Sequence, residues 1–83
     1  MAHPQTTSLR SDVHRLLSQA LGRPVGDAEN PSRETEARWD SFTHVELVFL
    51  LEDHFQLRFE GREIAGLRDA ADIVRLVEAR LAA

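Results

Sequence analysis

The chain has no cysteine in its 83 residues, and its ten basic residues are all arginine. Without cysteine it can form no disulfide, no thiolate metal site and no thiol nucleophile. Its longest apolar run is the five residues Leu47 to Leu51, far short of a membrane span, so no membrane partner is expected. The opening residues, Met1 to Thr7, lack a basic stretch leading into an apolar one. No secretory signal is expected, and a cytoplasmic protein is the default. Only four glycines occur, and none build a phosphate-cradling loop; nor is there a nucleophile–base pair. The four histidines, His3, His14, His44 and His54, include no i,i+4 pair, so neither a metal site nor a stand-alone enzyme is expected. The net charge of −4 repels phosphate backbones and argues against nucleic-acid binding.

What is present suffices for one small folded domain spanning 1–83, with residues 1–7 expected as a flexible tail. Apolar residues at 42% and charged residues at 29% exclude wholesale disorder. A chain this short buries roughly 60–65% of its unfolded surface, which limits it to one modest core.

Four helical segments can be read, and no strand. The first covers about Ser8 to Leu21, with Leu9, Val13, Leu16, Leu17, Ala20 and Leu21 at helical spacing. Gly22 and Pro24 stop it. The connection from Gly22 to Trp39 is long for a compact domain, and such loops are often functional. Val25 and Trp39 are its only large apolar residues and are expected to pin it to the core. The second helix runs from Ser41 to Phe55. Gln56 to Phe59 makes a short link, and a short helix covers Arg62 to Leu67 with Ile64 and Leu67 inward. The last helix runs from Asp69 to about Leu81 on the stripe Ala70, Ile73, Val74, Val77 and Leu81, capped by Asp69. The fold class is all-α: a small four-helix bundle of three main helices and one short helix, with a long first loop.

The second helix carries the functional signal. At 100° per residue, Leu47, Val48, Leu51 and Phe55 share the core face. Phe42, Val45 and Phe49 fall elsewhere, beside Glu46, Glu52 and Asp53. Large apolar residues among acids on an outer face are covered either by another helix of the chain or by a partner. Its start, Trp39-Asp40-Ser41-Phe42, offers Asp40 or Ser41 as cap, and Thr43 with Glu46 forms a T-x-x-E pattern.

The segment Asp40-Ser41-Phe42-Thr43-His44-Val45-Glu46-Leu47-Val48 resembles the attachment motif of the acyl and peptidyl carrier proteins. In that family an Asp-Ser-Leu triplet opens the second helix and an apolar-Glu-Leu-apolar stretch follows. Phe42 stands here where Leu is usual and can serve the same contact. The likeness continues through Glu52-Asp53, Phe55, Phe59, Glu63-Ile64, Leu67 and Asp72-Ile73.

The resemblance implies a non-catalytic carrier with a covalent 4′-phosphopantetheine arm, derived from coenzyme A, on Ser41. It implies an acyl, hydroxyacyl or aminoacyl cargo held as a thioester for fatty acid, polyketide or other specialised biosynthesis. The implied partners are a phosphopantetheinyl transferase, a loading ligase or transferase, and downstream biosynthetic enzymes, met in trans by a monomer. Asp40 is implied as a cap and transferase contact, with a cap alone equally open. Phe42, Val45, Glu46, Phe49, Glu52 and Asp53 are the candidate partner surface; a merely solvated acidic face is the alternative reading. His44 either flanks the arm or is a surface or half-buried histidine. The competing function is a small helical interaction module without a cofactor, docking through Phe42, Val45 and Phe49.

Overall fold

A computed structural model describes the backbone of residues 6–82 and the side chains of residues 9–82. Its helices are α1 (Thr6–Leu21), α2 (Ser41–Phe55), α3 (Gly61–Ala65) and α4 (Ala70–Ala82). The all-α bundle is as expected. Thr6 and Thr7, placed by the sequence in a tail, belong to α1; the rest of that tail lies outside the described residues.

Helix α1 packs against both α2 and α4. Its buried residues Leu9, Val13, Leu16, Leu17 and Leu21 recur every three or four positions and so form one stripe. Leu47, Val48 and Leu51 from α2 and Ala70, Ile73 and Val77 from α4 complete the core with Trp39, Phe59 and Leu67. Several expected core residues are less covered than expected, Ala20 and Val74 being half-buried. Phe55, one residue before the α2 C-cap, is half-buried, and Leu81, in the last turn of α4, is exposed.

The end of α1 is set by Gly22, whose φ of 73° turns the chain into the left-handed region that glycine enters without strain. Its N–H donates to the Ser18 carbonyl at 2.9 Å, and Arg38 Nη1 donates to the Leu21 carbonyl at 3.2 Å. The connection that follows has no helix but is well bonded. Arg23 joins Glu29 at 3.0 Å and Glu36 at 2.6 Å. At the far side, Arg33 N–H donates to the Arg68 carbonyl and Ala70 N–H to the Pro31 carbonyl, while the Asn30 side chain accepts from Ala71 N–H. These bonds tie the loop to the start of α4 and satisfy backbone groups that regular structure would otherwise have to serve. Trp39 is buried and Val25 half-buried against the core, the two pins the sequence predicts.

Helix α4 begins on Asp69, whose Oδ1 accepts the Asp72 N–H at 2.8 Å, the cap read from the sequence. Helix α3 spans Gly61–Ala65 and contributes Ile64, half-buried, to the core edge. Glu63 holds it from two directions: its Oε1 accepts the Glu60 N–H at 2.8 Å and the Arg80 guanidinium of α4 at 2.7 Å.

Candidate functional site at the start of the second helix

Asp40 caps α2. Its backbone is extended, at φ −90° and ψ −174°, and its Oδ1 accepts the Thr43 N–H at 2.9 Å. Of the two caps the sequence offers, Asp40 is the one used. The Thr43-x-x-Glu46 pattern forms no box, because Thr43 is already the third residue of the helix. The Thr43 N–H, and next its hydroxyl, hold the Asp40 carboxyl below the usual aspartate range.

Ser41 is the first residue of α2. It is exposed, and its hydroxyl makes no hydrogen bond to another described residue. A serine freed of capping duty by the aspartate before it presents an unencumbered hydroxyl at a loop–helix junction. The positive end of the helix dipole lies at the same point, so an anion joined to this oxygen would be favoured by roughly 0.3–1 kcal/mol. Asp40 opposes such an anion by its own charge, though its Oδ1 is turned to the Thr43 N–H.

The outer face of α2 is apolar. Phe42 is 78% exposed, Val45 50% and Phe49 65%, whereas Leu47 and Leu51 are fully buried. No helix among the described residues covers the three, so contact with another helix of the bundle does not account for them. Glu46 and Asp53 are exposed beside them. Glu52 differs from expectation: it is half-buried, and its Oε2 accepts the Phe59 N–H at 2.8 Å. Phe49, Glu52 and Asp53 line a shallow cleft with Gln56, Leu57 and Arg58. Arg58 thereby sets one exposed positive charge at the edge of the acidic surface, which the helix pattern alone does not reveal.

His44 contradicts the surface or half-buried reading. It is 5% exposed, and both ring nitrogens are engaged. Nδ1 accepts from the indole N–H of Trp39 at 2.9 Å, and Nε2 lies 2.8 Å from the Ile64 carbonyl oxygen. The imidazole thus points inward between the end of the long loop and α3, and does not flank Ser41 on the surface. Sequence spacing gives no sign of this contact, because it spans a loop–helix junction and a third element.

No protein-family model and no solved structure matches the chain. It is similar to Acyl carrier protein 3 of Ralstonia nicotianae, with 33% identity over 72 residues, covering 84% of this chain and 82% of that protein. The four-helix order, the long bonded first connection and this extent of likeness agree, and the chain belongs to the acyl carrier protein family.

Proposed function

We propose that the chain carries an acyl, hydroxyacyl or aminoacyl intermediate on a 4′-phosphopantetheine arm joined to Ser41, and presents it to partner enzymes of fatty acid, polyketide or other specialised biosynthesis. The observation that carries this reading is the exposed Ser41 hydroxyl, unbonded among the described residues, directly after the Asp40 cap. The arm supplies the thiol that this cysteine-free chain lacks, and with it the thioester to the cargo. The protein's own residues do three things. Ser41 provides the attachment oxygen. Asp40 shapes the turn and serves as a contact for the phosphopantetheinyl transferase. Phe42, Val45 and Phe49, with Glu46 and Asp53, form the surface that the transferase, the loading enzyme and the downstream enzymes meet.

Such encounters have to be brief, because a shuttle must leave after each transfer. Acidic residues suit that requirement: they raise association rates through long-range attraction more than they slow dissociation. Glu52 contributes charge to this surface but is held by Phe59, so its weight in recognition is less than that of Glu46 and Asp53.

Exposure of Phe42, Val45 and Phe49 is also what a cofactor-free interaction module would show. One experiment separates the two. Incubation with coenzyme A and a broad-specificity phosphopantetheinyl transferase, followed by intact-mass measurement, gives one added arm for a carrier and no change for the module. Ser41→Ala then stays unmodified while keeping its helical circular dichroism; an arm on that variant would place the attachment elsewhere.

A further inference from the structure

In the run from Trp39 to His44 only the two ends are buried, and they are bonded to each other. Trp39 is 3% exposed and His44 5%, whereas Asp40, Ser41 and Phe42 between them are all exposed. The exposed part therefore gains little from packing. It is held by two nested closures. The inner one is local: Asp40 accepts the Thr43 N–H on its carboxylate and the His44 N–H, at 2.8 Å, on its carbonyl. The outer one is the Trp39 indole N–H on His44 Nδ1 at 2.9 Å, with the two rings side by side and 28° from parallel.

The direction of the outer bond is set by a third group. An indole N–H can only donate and a carbonyl can only accept. His44 must therefore keep its proton on Nε2, facing the Ile64 carbonyl, and offer Nδ1 as a lone pair to Trp39. Helix α3 in this way fixes the tautomer that lets α2 hold the end of the loop.

We propose that His44 is a positioning residue for Ser41: by gripping Trp39 across the loop–helix junction, with its tautomer set by Ile64, it presets the exposed turn that presents the serine. This rests on Ser41 being the attachment point.

Two substitutions divide the two bonds of the imidazole. In His44→Asn the amide oxygen takes the place of Nδ1 and still accepts from Trp39. In His44→Gln the amide nitrogen reaches the place of Nε2 and serves Ile64, and the acceptor for Trp39 is lost. Trp39→Phe removes the donor together with part of a buried ring, so its exchange and kcat are compared with its melting temperature, and it decides the matter should His44→Gln not fold. The measurements are amide hydrogen exchange at Thr43 and His44, whose N–H groups close the turn on Asp40, and kcat and KM for arm transfer from coenzyme A by the transferase. All are made well below each variant's melting temperature.

Trp39→Phe and His44→Gln are expected to speed exchange at both amides and to lower kcat about three- to tenfold, the rate equivalent of one net hydrogen bond. KM changes less than kcat, because Val45, Glu46, Phe49 and Asp53 lie beyond the loosened turn, and His44→Asn remains near the parent on every measure. Unchanged exchange and kcat in Trp39→Phe would overturn the proposal, as would losses that merely follow melting temperature across all three variants. If the parent protein takes no arm, the reading of Ser41 fails instead, and the exchange data alone decide whether His44 holds the turn.

Discussion

The Glu52 carboxylate accepts the backbone N–H of Phe59 at 2.8 Å, so one acid of the second helix is engaged in closing the link to α3. Phe59 is buried, and the Arg80 guanidinium lies 6.0 Å above its ring. The same Arg80 reaches Glu63 in α3. Charged residues of α2 and α4 thus meet at Phe59, with Glu63 of α3 held to Arg80, and the acidic surface of α2 divides into a structural part and a free part.

Glu52→Ala is therefore expected to destabilise the domain by about 1–2 kcal/mol, because it leaves a part-buried N–H without its acceptor. Glu46→Ala and Asp53→Ala, with both side chains in solvent, are expected to stay within about 0.5 kcal/mol of the parent. Urea unfolding followed by circular dichroism checks the order. Equal effects at all three positions would mean that the Glu52–Phe59 bond contributes nothing to stability.

Much of this was legible beforehand because it depends on local periodicity. Leu9, Val13, Leu16, Leu17 and Leu21 declare α1, the start of α2 at Ser41 follows from its capping signals, and the wheel separates Leu47 and Leu51 from Val45 and Phe49. Asp40 and Ser41 were legible as a motif at a helix start. What escaped was non-local. His44 reads as a surface residue when only its neighbours on α2 are considered, yet its partners lie in the loop and in α3. Glu52 shares the acidic run with Asp53, and only the return of the chain at Phe59 distinguishes them. The bonds of Asn30, Pro31 and Arg33 to the start of α4 bridge more than 30 positions, beyond the reach of any pattern in the loop.

Acid should loosen the start of α2 before the rest of the domain. The Asp40 carboxyl is held below its ordinary range by the Thr43 N–H and hydroxyl. A carboxyl depressed in the folded state stabilises it fully above the unfolded value near 3.9, and the contribution is lost as pH falls through the lower folded value. Protection of the Thr43 amide, taken against its intrinsic exchange rate at each pH, is expected to fall in that acid window. Asn caps a helix as well as Asp but does not titrate there, so Asp40→Asn should remove the pH dependence and keep the cap. An identical acid response in the Asn variant would assign the effect to another group.

Gly22 and Gly61 provide a paired test of the backbone. At Gly22 the φ of 73° is unfavourable for any side chain, and a Cβ would stand 2.8 Å from Arg38 Nη1, the group that caps α1. Gly22→Ala is expected to cost about 1–2 kcal/mol from the left-handed conformation alone. At Gly61, the first residue of α3, nothing lies within 4 Å of the added carbon. Gly61→Ala should be neutral or stabilise by up to about 1 kcal/mol, since it reduces the freedom of the unfolded chain. Thermal melts of the two variants are expected to move apart, and a shared direction would contradict the assigned end of α1.

Under the proposed function, the free part of the acidic surface serves partner recognition. Glu46 and Asp53 flank Val45 and Phe49 on the outer face of α2, with Arg58 at the edge of the cleft beside Asp53. Reversing both acids to Arg changes the charge of this face by four units without touching the core. Stability should move by less than about 1 kcal/mol in total, as two independent surface changes do. Loading by a partner enzyme that meets this face with arginines or lysines should slow, and the loss should lie in the association rate, where long-range attraction acts. Its signature is the response to salt. Over roughly 0.02–0.5 M the Debye length contracts from about 20 Å to about 4 Å, so the parent rate falls steeply. The double variant has no attraction left to screen, and its rate should stay flat or rise as repulsion is screened. The two curves are therefore expected to converge at high salt, where only Phe42, Val45 and Phe49 still distinguish a partner's surface from solvent. Stopped-flow loading across ionic strengths measures this, with circular dichroism of each protein confirming that the fold is unchanged. Parallel salt curves, or equal rates at low salt, would leave recognition to the apolar face alone; Phe49→Ala would then be the substitution that slows loading, by an increment that does not depend on salt.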